Sequence, residues 1–202
     1  MTPLPPHGSL RRRSVLRALG VAASRAWVPG LWLAGVAGGE LAHASDGELT
    51  GFDVFRDDDG VFLSYAVNFE LGRGPEDALA KSVPLFFVAE AEVFRDRWYW
   101  RDRRVAHATK VWKIVYQPLT STYRVTTVGG LSQNYPTREE AIAATSRSAR
   151  WKVAESTQLD DGRHYLEFVY RLDINLLPRP MQIGIAGNPD WQLSAKRTQR
   201  IN

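Results

Sequence analysis

Every second residue from 61 to 69 is apolar or aromatic: Val61, Leu63, Tyr65, Val67 and Phe69 hold one face, against two of the four positions between them. Side chains alternate across a strand, so a period of two gives an extended chain with one buried face. The pattern recurs. Five of six even positions are apolar from 106 to 116 (Ala106, Ala108, Trp112, Ile114, Tyr116), and five of six again from 164 to 174 (Leu166, Phe168, Tyr170, Leu172, Ile174). Between 83 and 100 the apolar residues hold the odd face as far as Val93, then the even one at Phe94, Trp98 and Trp100. A bulge near 94–96 would transfer the apolar face without ending the strand. Shorter strands are predicted at 52–56, 122–127, 151–155 and 191–197.

Turn chemistry supports this division. Asp59-Gly60 and Asp161-Gly162 suit the positive backbone dihedrals of tight hairpins, and residues 101–104 make another connection. Two short helices interrupt the strands. One, over 75–82, starts with Pro75, followed by Glu76 and Asp77 at the positive end of the helix dipole. The other follows Thr137, which stands three residues before Glu140 in the spacing of a capping box. Short strands with intervening turns predict a mainly β chain: an antiparallel two-sheet sandwich or a partly closed barrel with two short helices. No repeat or linker divides 45–202, so these residues read as a single β-rich domain.

Residues 1–44 read as an export signal. Arg11-Arg12-Arg13-Ser14-Val15-Leu16-Arg17 resembles the twin-arginine consensus, with Arg12 and Arg13 as the pair and Arg11 where serine or threonine is usual. The 14 uncharged residues between Arg25 and Glu40 are too few to span a bilayer. Ala42-His43-Ala44 then offers the small-x-small pattern of a cleavage site, making Ser45 the first residue after cleavage. The alternatives are an uncleaved anchor or a general-secretory signal. The expected location is periplasmic, with or without membrane association, and no integral membrane segment is expected after cleavage.

The leader also carries the charge excess. Of 26 basic and 22 acidic residues, five arginines and one acid, Glu40, precede residue 45, so the remainder is neutral. A neutral domain lacks the basic surplus that phosphate backbones require, and nucleic acid is not an expected partner. With no cysteine there is no disulfide, thiolate metal site or cysteine nucleophile.

Residues 83–88 (VPLFFV), Arg97-Trp98-Tyr99-Trp100, residues 116–125 (YQPLTSTYRV) and Gly130-Leu131-Ser132-Gln133 together resemble the domain of unknown function 4390 family of proteobacterial exported proteins. Leu172-Asp173, Leu176-Leu177-Pro178-Arg179-Pro180 and Asp190-Trp191-Gln192-Leu193-Ser194 follow in order. The resemblance covers nearly all of the region after the leader. It implies an exported protein without assigned activity or catalytic residues, its gene often beside a nitrogen-regulation-type sensor kinase pair. A membrane or envelope protein such as a sensor kinase is the partner it suggests.

The densest chemical constellation is residues 95–104, in which Arg97, Arg101, Arg103 and Arg104 alternate with Trp98, Tyr99 and Trp100. Such a surface could stack on sugar rings or hold an anionic ligand through guanidinium pairs. Strand alternation alone offers a simpler account, and the one preferred: Trp98 and Trp100 fill the core while arginines and aspartates pair outside. On that account Trp98→Ala costs roughly 3–5 kcal/mol. Asp57-Asp58-Asp59 is too closely spaced for a calcium loop and reads as a solvated turn. His107 and His164 have no ligand pattern around them, and Gly72-x-Gly74 lacks the third glycine of a nucleotide motif. Residues 176–181 read as a loop capping one end of the sandwich. No metal or cofactor is expected.

The sequence therefore leads to a non-enzymatic interaction or accessory domain of the cell envelope, with envelope sensing as the role it suggests, binding through a sheet edge or the aromatic hairpin. The competing readings are a small-ligand binding protein and a glycan-directed enzyme using carboxylates such as Glu90, Glu92, Asp96 or Asp102.

Overall fold

The computed structural model describes residues 47–99 and 101–201. Residues 1–46, including Arg12, Arg13, Ala42, Ala44 and Ser45, together with Trp100 and Asn202, lie outside the described residues.

Nine strands form two antiparallel sheets. They are β1 (Glu48–Asp57), β2 (Gly60–Asn68), β3 (Leu85–Arg95), β4 (Arg103–Gln117), β5 (Thr122–Thr127), β6 (Ser132–Tyr135), β7 (Arg147–Glu155), β8 (His164–Leu172) and β9 (Ser194–Ile201). One sheet has the order β1-β2-β7 and the other β6-β5-β4-β3-β8-β9. The architecture is a sandwich rather than a partly closed barrel, because both sheets keep free edges.

The alternation places the core. Val61, Leu63, Tyr65 and Val67 of β2 face Phe87, Ala89, Ala91 and Val93 of β3 and Leu166, Phe168 and Tyr170 of β8, all buried. Tyr65 packs on Phe168 at 4.6 Å between ring centroids, and Phe52 of β1 lies 5.5 Å from the same ring. From Ala106 to Tyr116, Lys110 alone breaks the apolar even face of β4. Its Nζ donates to Ser148 Oγ at 2.8 Å and lies 5.1 Å from the Trp151 ring centre, and burial lowers its pKa.

The helices cover what the smaller sheet leaves open. Helix α1 (Arg73–Ala80) buries Pro75, Ala78 and Leu79. Gly72 and Gly74 at its start are fixed by packing, since a Cβ at Gly74 would sit 2.5 Å from Trp191 Nε1 and one at Gly72 would strike the Asp190 carbonyl. Helix α2 (Arg138–Thr145) begins as expected at Thr137, whose Oγ1 accepts the Glu140 N–H at 3.2 Å.

A third helix, α3 (Arg179–Ile185), corrects the expected loop at 176–181. Pro178 caps it and Pro180 lies in its first turn, where a missing N–H costs nothing. The sequence also gave no sign of β6, a polar four-residue edge strand. The bulge expected in β3 lies in its partner instead. Val93 faces Ala106 and Phe94 faces Arg104, so Val105 of β4 is the extra residue, while β3 stays in unbroken register with β8 to Arg95.

Candidate functional site

The loop between β3 and β4 is where structure and expectation differ most. Strand β3 stops at Arg95, and Trp98 and Tyr99 form a turn with 86% and 73% of their surfaces exposed. The expected core position of Trp98 is therefore wrong. Its alternation with Phe94 is broken where pairing ends, and a residue beyond the last ladder bond no longer follows the pleat. The two rings stand edge to face, 4.5 Å apart and 73° between planes.

The loop is held from behind by one carboxylate. Asp102 Oδ1 accepts the Arg97 N–H at 3.0 Å, closing the turn, and Oδ2 accepts the Tyr165 hydroxyl at 2.9 Å from the first turn of β8. Tyr165 stacks on Phe94 with centroids 5.3 Å apart and 15° between planes. Its phenol is pushed up to about 12, chiefly by burial and then by the Asp102 carboxylate. Nothing in the spacing of Asp102 and Tyr165 joins them; only strand order brings β8 beside β3.

A second loop, between β7 and β8, meets the first. The Asp96 N–H donates to the Arg163 carbonyl at 2.8 Å, Arg163 Nη2 lies 3.6 Å from the Asp96 carboxylate, and Arg95 pairs with Asp160 at 2.5 Å. Arg95, Asp96, Arg97, Trp98, Tyr99 and Arg163 line an open groove of about 540 Å³. Arg104 pairs with Glu92 on the outer face of the sheet. Among the described residues, Arg97, Arg101 and Arg103 form no ion pair.

The four carboxylates considered for acid–base chemistry are spread over this end and face rather than gathered. Glu90 accepts from Arg171 and from His107 Nε2 at 3.3 Å, and the Arg171 hydrogen bond holds its carboxyl below the usual range. A general acid at neutral pH needs the opposite shift. Glu92 is tied to Arg104, Asp96 to Arg163, and Asp102 to the loop.

The remaining candidates have structural roles. Asp57 Oδ1 accepts from the N–H groups of Asp59 and Gly60 at 2.9 and 3.2 Å, completing the β1–β2 turn. Among the described residues no group of three His, Cys, Asp or Glu is placed to hold a metal. His107 is exposed beside Thr109. His164 is buried with Nε2 3.5 Å from Asp160 Oδ1 and no hydrogen-bond partner among the described residues.

The sheet edges offer little to a pairing strand. Edge strand β9 carries Lys196, Arg197 and Arg200, β7 carries Arg147, Arg150 and Lys152 and shifts register against β2, β6 is short and polar, and β1 has a register shift between Leu49 and Gly51. Charge, brevity and irregularity each discourage strand addition.

A family model described as Domain of unknown function (DUF4390) matches residues 44–201. No curated protein and no solved structure matches the chain.

Proposed function

The chain belongs to the DUF4390 family, and from that membership we propose that it is an exported, non-enzymatic interaction domain of the cell envelope that presents the β3–β4 loop to a partner. The observation that carries this reading is the loop itself. Asp102 ties the Arg97 backbone to Tyr165 while Trp98 and Tyr99 stand in solvent. A loop tethered at its base has less backbone freedom to lose on binding, which suits a recognition surface. Guarded edges favour the loop over strand addition.

Export rests on the order of the leader: paired arginines, an interrupted apolar stretch and Ala42-His43-Ala44 before Ser45. Among the described residues no helix is long and apolar enough to cross a membrane. A periplasmic domain released at Ser45 would meet the envelope's membrane proteins, and a sensor kinase is the partner suggested by the family's gene neighbourhood. The lowered Glu90 pKa counts against Glu90 as the general acid of a glycan hydrolase.

The test is in-cell photo-crosslinking from position 99 in the exported protein, with recovery through a carboxy-terminal tag. An adduct with an envelope component supports the reading, and adducts only from control positions on β6 would overturn it. Substituting Arg12 and Arg13 by lysine should block export if the twin-arginine route is used, read as retention in the cytoplasm.

The groove beside Trp98 favours a second reading, binding of a small anionic sugar or carboxylate, since aromatic faces and guanidinium groups line it together. Calorimetric titration with cell-wall fragments tests it, and heats unchanged by Arg163→Gln would exclude this groove.

A further inference from the structure

The partner surface can be narrowed by size and charge. We infer that the β3–β4 loop seats the domain on the surface of an anionic phospholipid bilayer, with Trp98 and Tyr99 at headgroup depth and Arg97, Arg101 and Arg103 against lipid phosphates. This deepens the proposed function and rests on its reading of the loop as the contact surface.

The first argument is area. Two exposed aromatic side chains offer roughly 150–250 Å² each. A stable protein interface takes about 800 Å² from each partner. Among the described residues the neighbours of these rings are charged rather than apolar, with Arg95, Arg104 and Arg163 paired with Asp160, Glu92 and Asp96. A bilayer interface makes no such demand. Trp and Tyr rings, apolar in body and polar at the edge, settle at headgroup level singly or in pairs.

The second argument is charge. Residues 95–104 contain five arginines and two aspartates, although the domain beyond the leader is neutral. Arg95 and Arg104 have acidic partners, whereas Arg97, Arg101 and Arg103 have no ion pair among the described residues. The two acids of the loop are already engaged: Asp96 faces Arg163 at 3.6 Å, and Asp102 has both carboxylate oxygens committed to Arg97 N–H and the Tyr165 hydroxyl. Guanidinium groups take phosphate oxygens in paired hydrogen bonds, and each basic residue near an anionic surface contributes on the order of a fivefold gain in partitioning.

The experiment is co-sedimentation of the exported, processed protein with vesicles of phosphatidylcholine alone and with about one-third phosphatidylglycerol. Binding should appear on the anionic vesicles, weaken as salt rises, and be near background on neutral ones. Trp98→Ser with Tyr99→Ser, and separately Arg97→Gln with Arg101→Gln and Arg103→Gln, should each lower partitioning at least tenfold, with unchanged circular dichroism confirming folded protein. Brominated lipid should quench tryptophan emission in the wild type and lose that increment in the Trp98→Ser protein. Equal binding to both vesicle types, no binding to either, or binding indifferent to both variants overturns the inference. Crosslinks from position 99 to a membrane protein without vesicle binding overturn the lipid surface but leave the interaction reading standing. Failure of both experiments removes the two together.

Discussion

Trp112 lies within β4 and Trp98 in the turn that precedes it, and they make opposite predictions. Trp112 is 6% exposed, so Trp112→Ala should cost about 3–5 kcal/mol in urea unfolding. Trp98→Ala removes a ring standing in solvent and should leave stability within about 0.5 kcal/mol. Alternation made Trp112 legible as core and misled at Trp98, because a periodic pattern does not mark where hydrogen-bonded pairing stops. Glu90 offers a pH test. Its folded pKa is lowered by Arg171, so its contribution is complete above the ordinary carboxylate value of 4.5 and is lost as acid protonates it in the folded protein. The stability difference between wild type and Glu90→Gln should be about 1 kcal/mol at pH 7, the modest value of a partly solvated pair, and should fade in acid.

Thr137→Ala leaves the first turn of α2 with an unanswered N–H at Glu140 and should cost about 1 kcal/mol. That cap was readable from a four-residue spacing, as was the turn at Asp59-Gly60; Asp161-Gly162 makes no tight hairpin, because β7 and β8 lie in different sheets and Gly162 does not take a positive φ. Helix α3 was not, because two prolines read as breakers when they stand at its start. Strand β6 was not, because its four residues bury almost nothing. The Asp102 staple joins residues 63 apart in sequence, and neither has a local pattern that announces the contact. Asp102→Ala should therefore act on the element alone: faster amide exchange at Arg97 and neighbouring loop positions, with the rest of β3 and β4 still protected.

The matched region, 44–201, and the single buried cluster running through both sheets predict that residues 45–202 unfold in one cooperative step, with tryptophan fluorescence and far-UV circular dichroism coincident. Two separated transitions would show that the sheets are independent. Fold class was legible at this scale because two-period patterns admit few layer arrangements. The position of the candidate site was not, since it depends on β8 lying between β3 and β9. That strand order sets a direction as well as a site. Strands β3, β4 and β8 all meet the aromatic loop end-on, while Glu167, Val169 and Arg171 look outward along the broad sheet. A molecule resting on Trp98 and Tyr99 would stand like a post, its strands upright and its widest face turned sideways, level with whatever neighbouring membrane proteins hold above the lipid.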